Sequence, residues 1–161
     1  MSGMNEMVRI GIDGGWKSGA IAVLWPDGKV EFCDVGESMV DALHFLRSLS
    51  AEWGQLSVSI EYAGRNCQAC KGWGHLRGAC IALGIPIKHE PTPAQWKRAI
   101  FGNALKGKTR PQQKNMARDM ARKLFPQAAP FLARVKDADR AEALLIMEYG
   151  RRLEARREAV E

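Results

Sequence analysis

Four carboxylates stand where a folded chain can bring them together. Asp13 closes the apolar run VRIGID and is followed by Gly14-Gly15, and Glu61 closes SVSIE. Asp139 and Glu142 are three residues apart at the opening of DADRAEALLIMEYG, so on a helix they share one face. Carboxylate and water oxygens suit a hard ion such as Mg²⁺. Two such ions about 3.5–4 Å apart can activate a water, stabilise charge on phosphorus oxygens and assist a leaving 3′ oxygen, which are the needs of phosphodiester hydrolysis. In this reading Asp13 bridges both ions and Glu61 holds one. Asp139 and Glu142 hold the other and orient the water. A lone aspartate in GIDGG serves equally well as a turn residue, so the argument rests on the four acids as a set.

The charge distribution points the same way. The chain has 161 residues and a formal charge of +6. Between Lys97 and Lys123 lie nine Lys or Arg and one acid, Asp119. A solvated helix face accounts for such a run when it stands alone. Beside clustered carboxylates, which repel phosphate, the cations are what a nucleic-acid groove requires. Lys97, Lys106, Lys108, Arg110 and Lys114 are the candidate phosphate contacts.

The elements that must carry these residues can be read from periodicity. Val8, Ile10 and Ile12 alternate with Arg9, Gly11 and Asp13 as in a strand. Two further strands, 20–25 and 29–35, flank the turn Pro26-Asp27-Gly28. Helix 38–52, strand 57–61, a Gly- and Cys-rich loop 63–72, helix 74–83 and strand 85–90 follow. Thr92 caps helix 92–101 with Pro93 at its first position. A basic loop 102–110 leads to helix 111–124, opened by Pro111, and the last helix spans 137–157. Five strands with interleaved helices predict an α/β fold, a mixed five-stranded sheet flanked by helices. With strands 7–13 and 57–61 parallel and adjacent, Asp13 and Glu61 emerge together at the carboxyl end, where ligands of such sheets bind. Ala138, Ala141, Leu145, Tyr149 and Leu153 form the expected docking stripe of the last helix. Residues 1–161 are expected to form one domain with a 46% apolar composition. No apolar run approaches the roughly 20 residues that span a bilayer. The opening MSGMNEMVRI has no signal-peptide pattern, so a cytoplasmic location, reduced cysteines and no membrane partner are expected.

Cys67, Cys70, His75 and Cys80 carry the spacing C-x2-C-x4-H-x4-C of a zinc knuckle, a module that binds single-stranded nucleic acid. A helix over 74–83 works against it, since His75 and Cys80 would then lie about 140° apart. Cys80 is then a small core residue. A partial site of Cys67, Cys70 and His75 within 63–80 stays open. Of the five tryptophans, Trp73 in the Gly-rich loop is the candidate for base stacking; the others read as packing.

The segments IGIDGGWKSGAIAVL, SIEYAG, LRGACIALGIPI, TPAQWKRAIFG and DADRAEALLIMEYGRR together resemble a RuvC-type Holliday junction resolvase. The wording TPAQW and RAEALLI is more similar to phage-borne and prophage members than to the bacterial housekeeping enzyme. The resemblance implies a ribonuclease H-like fold and catalytic acids at Asp13, Glu61, Asp139 and Glu142. It implies a Mg²⁺- or Mn²⁺-dependent endonuclease, with two ions per site, acting as a homodimer that nicks branched DNA, a four-way junction, in symmetric pairs. The last acid is Glu142 where the bacterial enzyme commonly has Asp. Asp137 adds a fifth acid about 140° from Glu142, behind the site or on the surface. The aromatic wedge that follows the strand acid in the bacterial enzyme has Gly64 and Arg65 in its place here, leaving Tyr62 or Trp73 as substitutes. Other readings are a YqgF-like RNA-processing nuclease and a non-catalytic zinc-knuckle binding module. A sugar-kinase or actin-like ATPase, suggested by IGIDGG, needs two domains and about twice this length.

Overall fold

The computed structural model describes residues 7–36, 38–65 and 67–160, the side chains of 67 and 68 excepted. Residues 1–6, whose lack of an export pattern was noted above, lie outside the described residues. Strands β1 (Val8–Asp13), β2 (Ala20–Leu24) and β3 (Val30–Asp34) form an antiparallel meander. Strands β4 (Leu56–Ile60) and β5 (Ile87–His89) add in parallel on the other side of β1, giving the order β3-β2-β1-β4-β5. The helices are α1 (Val40–Glu52), α2 (Cys67–Ala82), α3 (Pro93–Phe101), α4 (Arg110–Leu124) and α5 (Ala138–Glu158), with 3-10 turns at Pro126–Leu132 and Val135–Asp137. Thr92 caps α3 as expected, through a reciprocal pair with Gln95, and Thr109 does the same for α4 with Gln112. No helix among the described residues is long and apolar enough to cross a membrane.

The two faces of the sheet are chemically different, and that difference positions the last helix. Val8, Ile10, Ile12, Ile21, Val23, Val58 and Ile60 join Leu46 of α1 and Leu76 of α2 in one buried cluster. On the opposite face the strands carry small residues: Gly11, Ala20, Ala22, Ser57 and Ser59. Helix α5 lies directly on them. A Cβ at Gly11 would fall 2.0 Å from the Ala143 carbonyl oxygen, and one at Gly150 would fall 2.0 Å from Ser59 Oγ. At the far end Glu154 accepts from Arg9 Nε at 3.1 Å and from Ser57 Oγ at 2.6 Å, with His89 Nε2 3.6 Å away. Helix α5 therefore runs antiparallel to β1, its first turn at the carboxyl end of the strand.

Two sequence expectations need correction. The sheet-facing residues of α5 are Ala143, Met147, Gly150 and Glu154, not the stripe through Ala141, Leu145, Tyr149 and Leu153. Helix α5 is covered on its other side by Trp96, Ala117, Ala121 and Leu132, so Ala141 and Leu145 are buried too and the helix is apolar nearly all round. The Gly- and Cys-rich stretch is a helix from Cys67 onward rather than a loop to residue 72. A glycine inside a helix costs about 1 kcal/mol, but Gly72 is needed there. Its Cβ would lie 2.3 Å from the Gly15 carbonyl oxygen, so tertiary packing outweighs local propensity.

Candidate active site

Strand pairing brings the first two acids together. Ile12 is paired with Ile60, and the Glu61 amide donates to the Ile12 carbonyl at 3.0 Å, so Asp13 and Glu61 leave the sheet side by side. The antiparallel run of α5 delivers Asp139 and Glu142 to the same place. Carboxylate oxygens of Asp13, Asp139 and Glu142 all lie within 4.8 Å of one another. Glu61 lines the same cleft, of about 470 Å³, and its carboxylate accepts a hydrogen bond from the indole of Trp96. Trp96 is fully buried on α3. The sequence reading gave it packing alone. A buried indole N–H needs an acceptor, and that requirement is the signal that could have tied it to the acids.

The electrostatics follow from this crowding. Burial pushes the Asp13 carboxyl well above its ordinary range, and the charges of Glu142, Glu61 and Asp139 push the same way. Burial also raises Glu61, against the Trp96 hydrogen bond and the fields of Lys97 and Lys114, with Glu142 adding to the rise. Lys114 Nζ sits 2.9 Å from Asp139 Oδ1. Burial disfavours its ammonium, but the hydrogen bond to Asp139 and the nearby Glu142 and Asp13 outweigh that and raise its pKa. Carboxylate oxygens buried and crowded in this way repel one another, and a hard divalent cation, which would relieve that repulsion, fits them.

The candidate phosphate contacts divide. Lys97, Arg110 and Lys114 line the cleft. Lys106 and Lys108 are exposed on the turns between α3 and α4, away from its lining. Asp137 is buried rather than on the surface and is not among the clustered oxygens. It accepts from the Arg134 amide at 2.9 Å and from the Arg134 guanidinium, which hold it below the usual carboxylate range. The cysteine–histidine set is spread along one helix. Cys80 is fully buried against Leu76 and Ile85, and burial pushes its thiol up to about 11. His75 is exposed, Cys70 Sγ donates to the Gly64 carbonyl at 2.9 Å, and the Cys67 side chain lies outside the described residues. Cys80 thus stands apart from His75, as the helical spacing predicts.

The fold and site define an α/β domain with an acidic cluster at the carboxyl end of two parallel strands. The architecture is similar to the chain of T. thermophilus RuvC in complex with a Holliday junction substrate, with a TM-score of 0.57 at 20% identity over 92% of this chain and 96% of that one. The sheet and its flanking helices are therefore the ribonuclease H-like fold of RuvC. No protein-family model and no curated protein matches the chain by sequence.

Proposed function

We propose that this chain is a structure-selective endonuclease of the RuvC type, resolving four-way DNA junctions by metal-dependent hydrolysis that leaves paired symmetric nicks. The observation that carries this reading is the convergence of Asp13, Asp139 and Glu142 within 4.8 Å, beside Glu61 and below a wall of Lys97, Arg110 and Lys114. The RuvC neighbour was solved on a Holliday junction substrate, which supports branched DNA as the ligand. In this reading residues 1–161 act as one resolvase domain, in the cytoplasm, as a homodimer of the phage-borne type that TPAQW and RAEALLI resemble.

The division of labour follows from position. Asp13, Asp139 and Glu142 would hold Mg²⁺ or Mn²⁺, with Glu61 completing the set from the neighbouring strand. Bound there, two ions supply Lewis-acid stabilisation of the phosphoryl oxygens and a water of lowered pKa. Trp96 keeps the Glu61 carboxylate from swinging out of the cleft. Lys97 and Arg110 hold the DNA backbone on the α3–α4 wall. Lys114, already paired with Asp139, places a positive charge beside the scissile phosphate. The test is cleavage of a labelled mobile four-way junction in Mg²⁺. Paired symmetric nicks by the wild type, with Asp13→Asn binding but not cutting, are expected. Binding without cleavage by the wild type in both Mg²⁺ and Mn²⁺ overturns the proposal.

A further inference from the structure

Asp139 and Glu142 stand at the start of α5, where a helix is least held by its own hydrogen bonds. Asp137, at the N-cap, makes no side-chain bond to the helix; its carboxylate turns back to the Arg134 amide and guanidinium. The acids of this turn also crowd Asp13, and like charges so close push the turn away from the sheet. Lys114 restrains Asp139 from α4. A second restraint, from the sheet itself, runs through Arg140, which lies between the two acids in the chain. Its Nε and Nη2 donate to the two carboxylate oxygens of Asp34 at the end of β3, each at 2.7 Å. Its Nη1 donates to the Phe131 carbonyl at 3.2 Å and lies 3.8 Å from Asp137 Oδ1. The Phe32 ring centroid is 5.9 Å from the guanidinium carbon. Single surface ion pairs contribute little, but a two-point fork within a network holds one geometry.

The partner of this fork is placed by strand register. Asp34 is opposite Ala20, and Ala20 is opposite Asp13. The three form one row across β3, β2 and β1, so the sheet fixes Asp34 relative to Asp13. A helix turn fastened to Asp34 is therefore fastened in register with Asp13. Asp34, Asp137 and Asp139 line one hollow of about 160 Å³, which shares Ser18 and Asp139 with the main cleft. Arg140 is not one of the residues lining either space.

We infer that Arg140 is a positioning residue, whose fork on Asp34 registers the first turn of α5 against the sheet row of Asp13 and so sets the acidic cluster for a divalent ion before one binds. The inference rests on the nuclease reading above and deepens it. Arg140 acts through Asp139 and Glu142, holding their turn against the repulsion of the cluster. The geometry of the fork matters as well as its charge. Lysine in its place keeps the charge but cannot meet both Asp34 oxygens in a fixed plane.

The test has two readouts on the full chain without DNA: Mn²⁺ affinity, from the free-ion signal in electron paramagnetic resonance, and amide hydrogen exchange at 142–145 in EDTA. Arg140→Ala is expected to weaken Mn²⁺ on the order of tenfold and to speed exchange in that turn. Arg140→Lys should lose part of the affinity. Asp34→Ala, at a side chain 57% exposed where the fold is not at stake, should match Arg140→Ala. The double variant should be no weaker than either single one, because both remove the same contact. Glu154→Gln, at the other end of α5, should lower the melting temperature and leave Mn²⁺ affinity unchanged, which separates positioning from general stability. Wild-type Mn²⁺ affinity in both Ala variants, or losses that add in the double variant, overturns the role of Arg140 alone. A wild type that binds no Mn²⁺ overturns the nuclease reading, and the exchange rates then decide the clamp by themselves: equal rates in wild type and both Ala variants overturn it.

Discussion

Removing the charge of Asp13 should make the metal-free protein more stable while abolishing cleavage. Two unit charges at the 4.8 Å span of the cluster repel by about 3.5 kcal/mol at an effective dielectric near 20. Part of that repulsion is already relieved by the Lys114–Asp139 pair. A net gain of about 1–3 kcal/mol is then expected for Asp13→Asn near pH 8. At about 2–4 °C per kcal/mol for a chain of this size, the melting temperature in EDTA should rise by roughly 2–12 °C. The pH dependence has a definite sign. The folded-state pKa of Asp13 lies above its unfolded value, so the native state holds a proton that the unfolded chain releases. Wild-type stability is thus lost as pH rises from about 4 through the raised value, and the variant is spared that loss. The gap between the two melting curves should therefore be wide at pH 8 and narrow at pH 5. Thermal melts by circular dichroism at both pH values decide it. An Asp13→Asn variant that melts no higher than wild type in EDTA at pH 8 would falsify the account of the cluster as mutually repelling. Adding Mg²⁺ should then raise the wild type more than the variant.

Other substitutions probe the elements that bring the acids together. Gly11→Ala places a methyl 2.0 Å from the Ala143 carbonyl oxygen and must lift α5 off the sheet; urea unfolding should show a loss of about 3 kcal/mol or more. Glu154→Gln weakens the anchor to Arg9 and Ser57 and should cost about 2 kcal/mol at pH 7. Burial opposes the Glu154 carboxylate, but the Ser57 and Arg9 hydrogen bonds and the charge of Arg9 win and lower its pKa. Its contribution is thus present above about pH 4.3 and fades below, and melts at pH 7 and pH 3 should show the difference shrinking. Lys97→Ala and Arg110→Ala should each reduce the slope of log affinity against log salt by about 0.9 on junction DNA, whereas Lys106→Ala, outside the cleft lining, should change it less.

The sequence alone determined the ingredients of the site. Asp13 and Glu61 were legible because each ends a short apolar strand, and Asp139 with Glu142 because a three-residue spacing puts two acids on one helix face. Thr92-Pro93 was legible as a helix start for a local reason, the reciprocal cap with Gln95. Convergence was a different matter. It depends on β1 and β4 pairing in parallel with Ile12 opposite Ile60, and on α5 seating at a depth set by Gly11 and Gly150, each of which scores locally as a weak residue. The docking face of α5 was misread because a helix covered on both sides loses the contrast that periodicity needs. The start of α2 was misread because glycine's entropic cost is local while the space Gly72 leaves for Gly15 is tertiary. Trp96 and Glu61 are 35 residues apart in the chain, and Lys114 and Asp139 are 25 apart. Sequence patterns report what neighbours along the chain favour; a hydrogen bond between distant side chains exists only once the fold has brought them face to face.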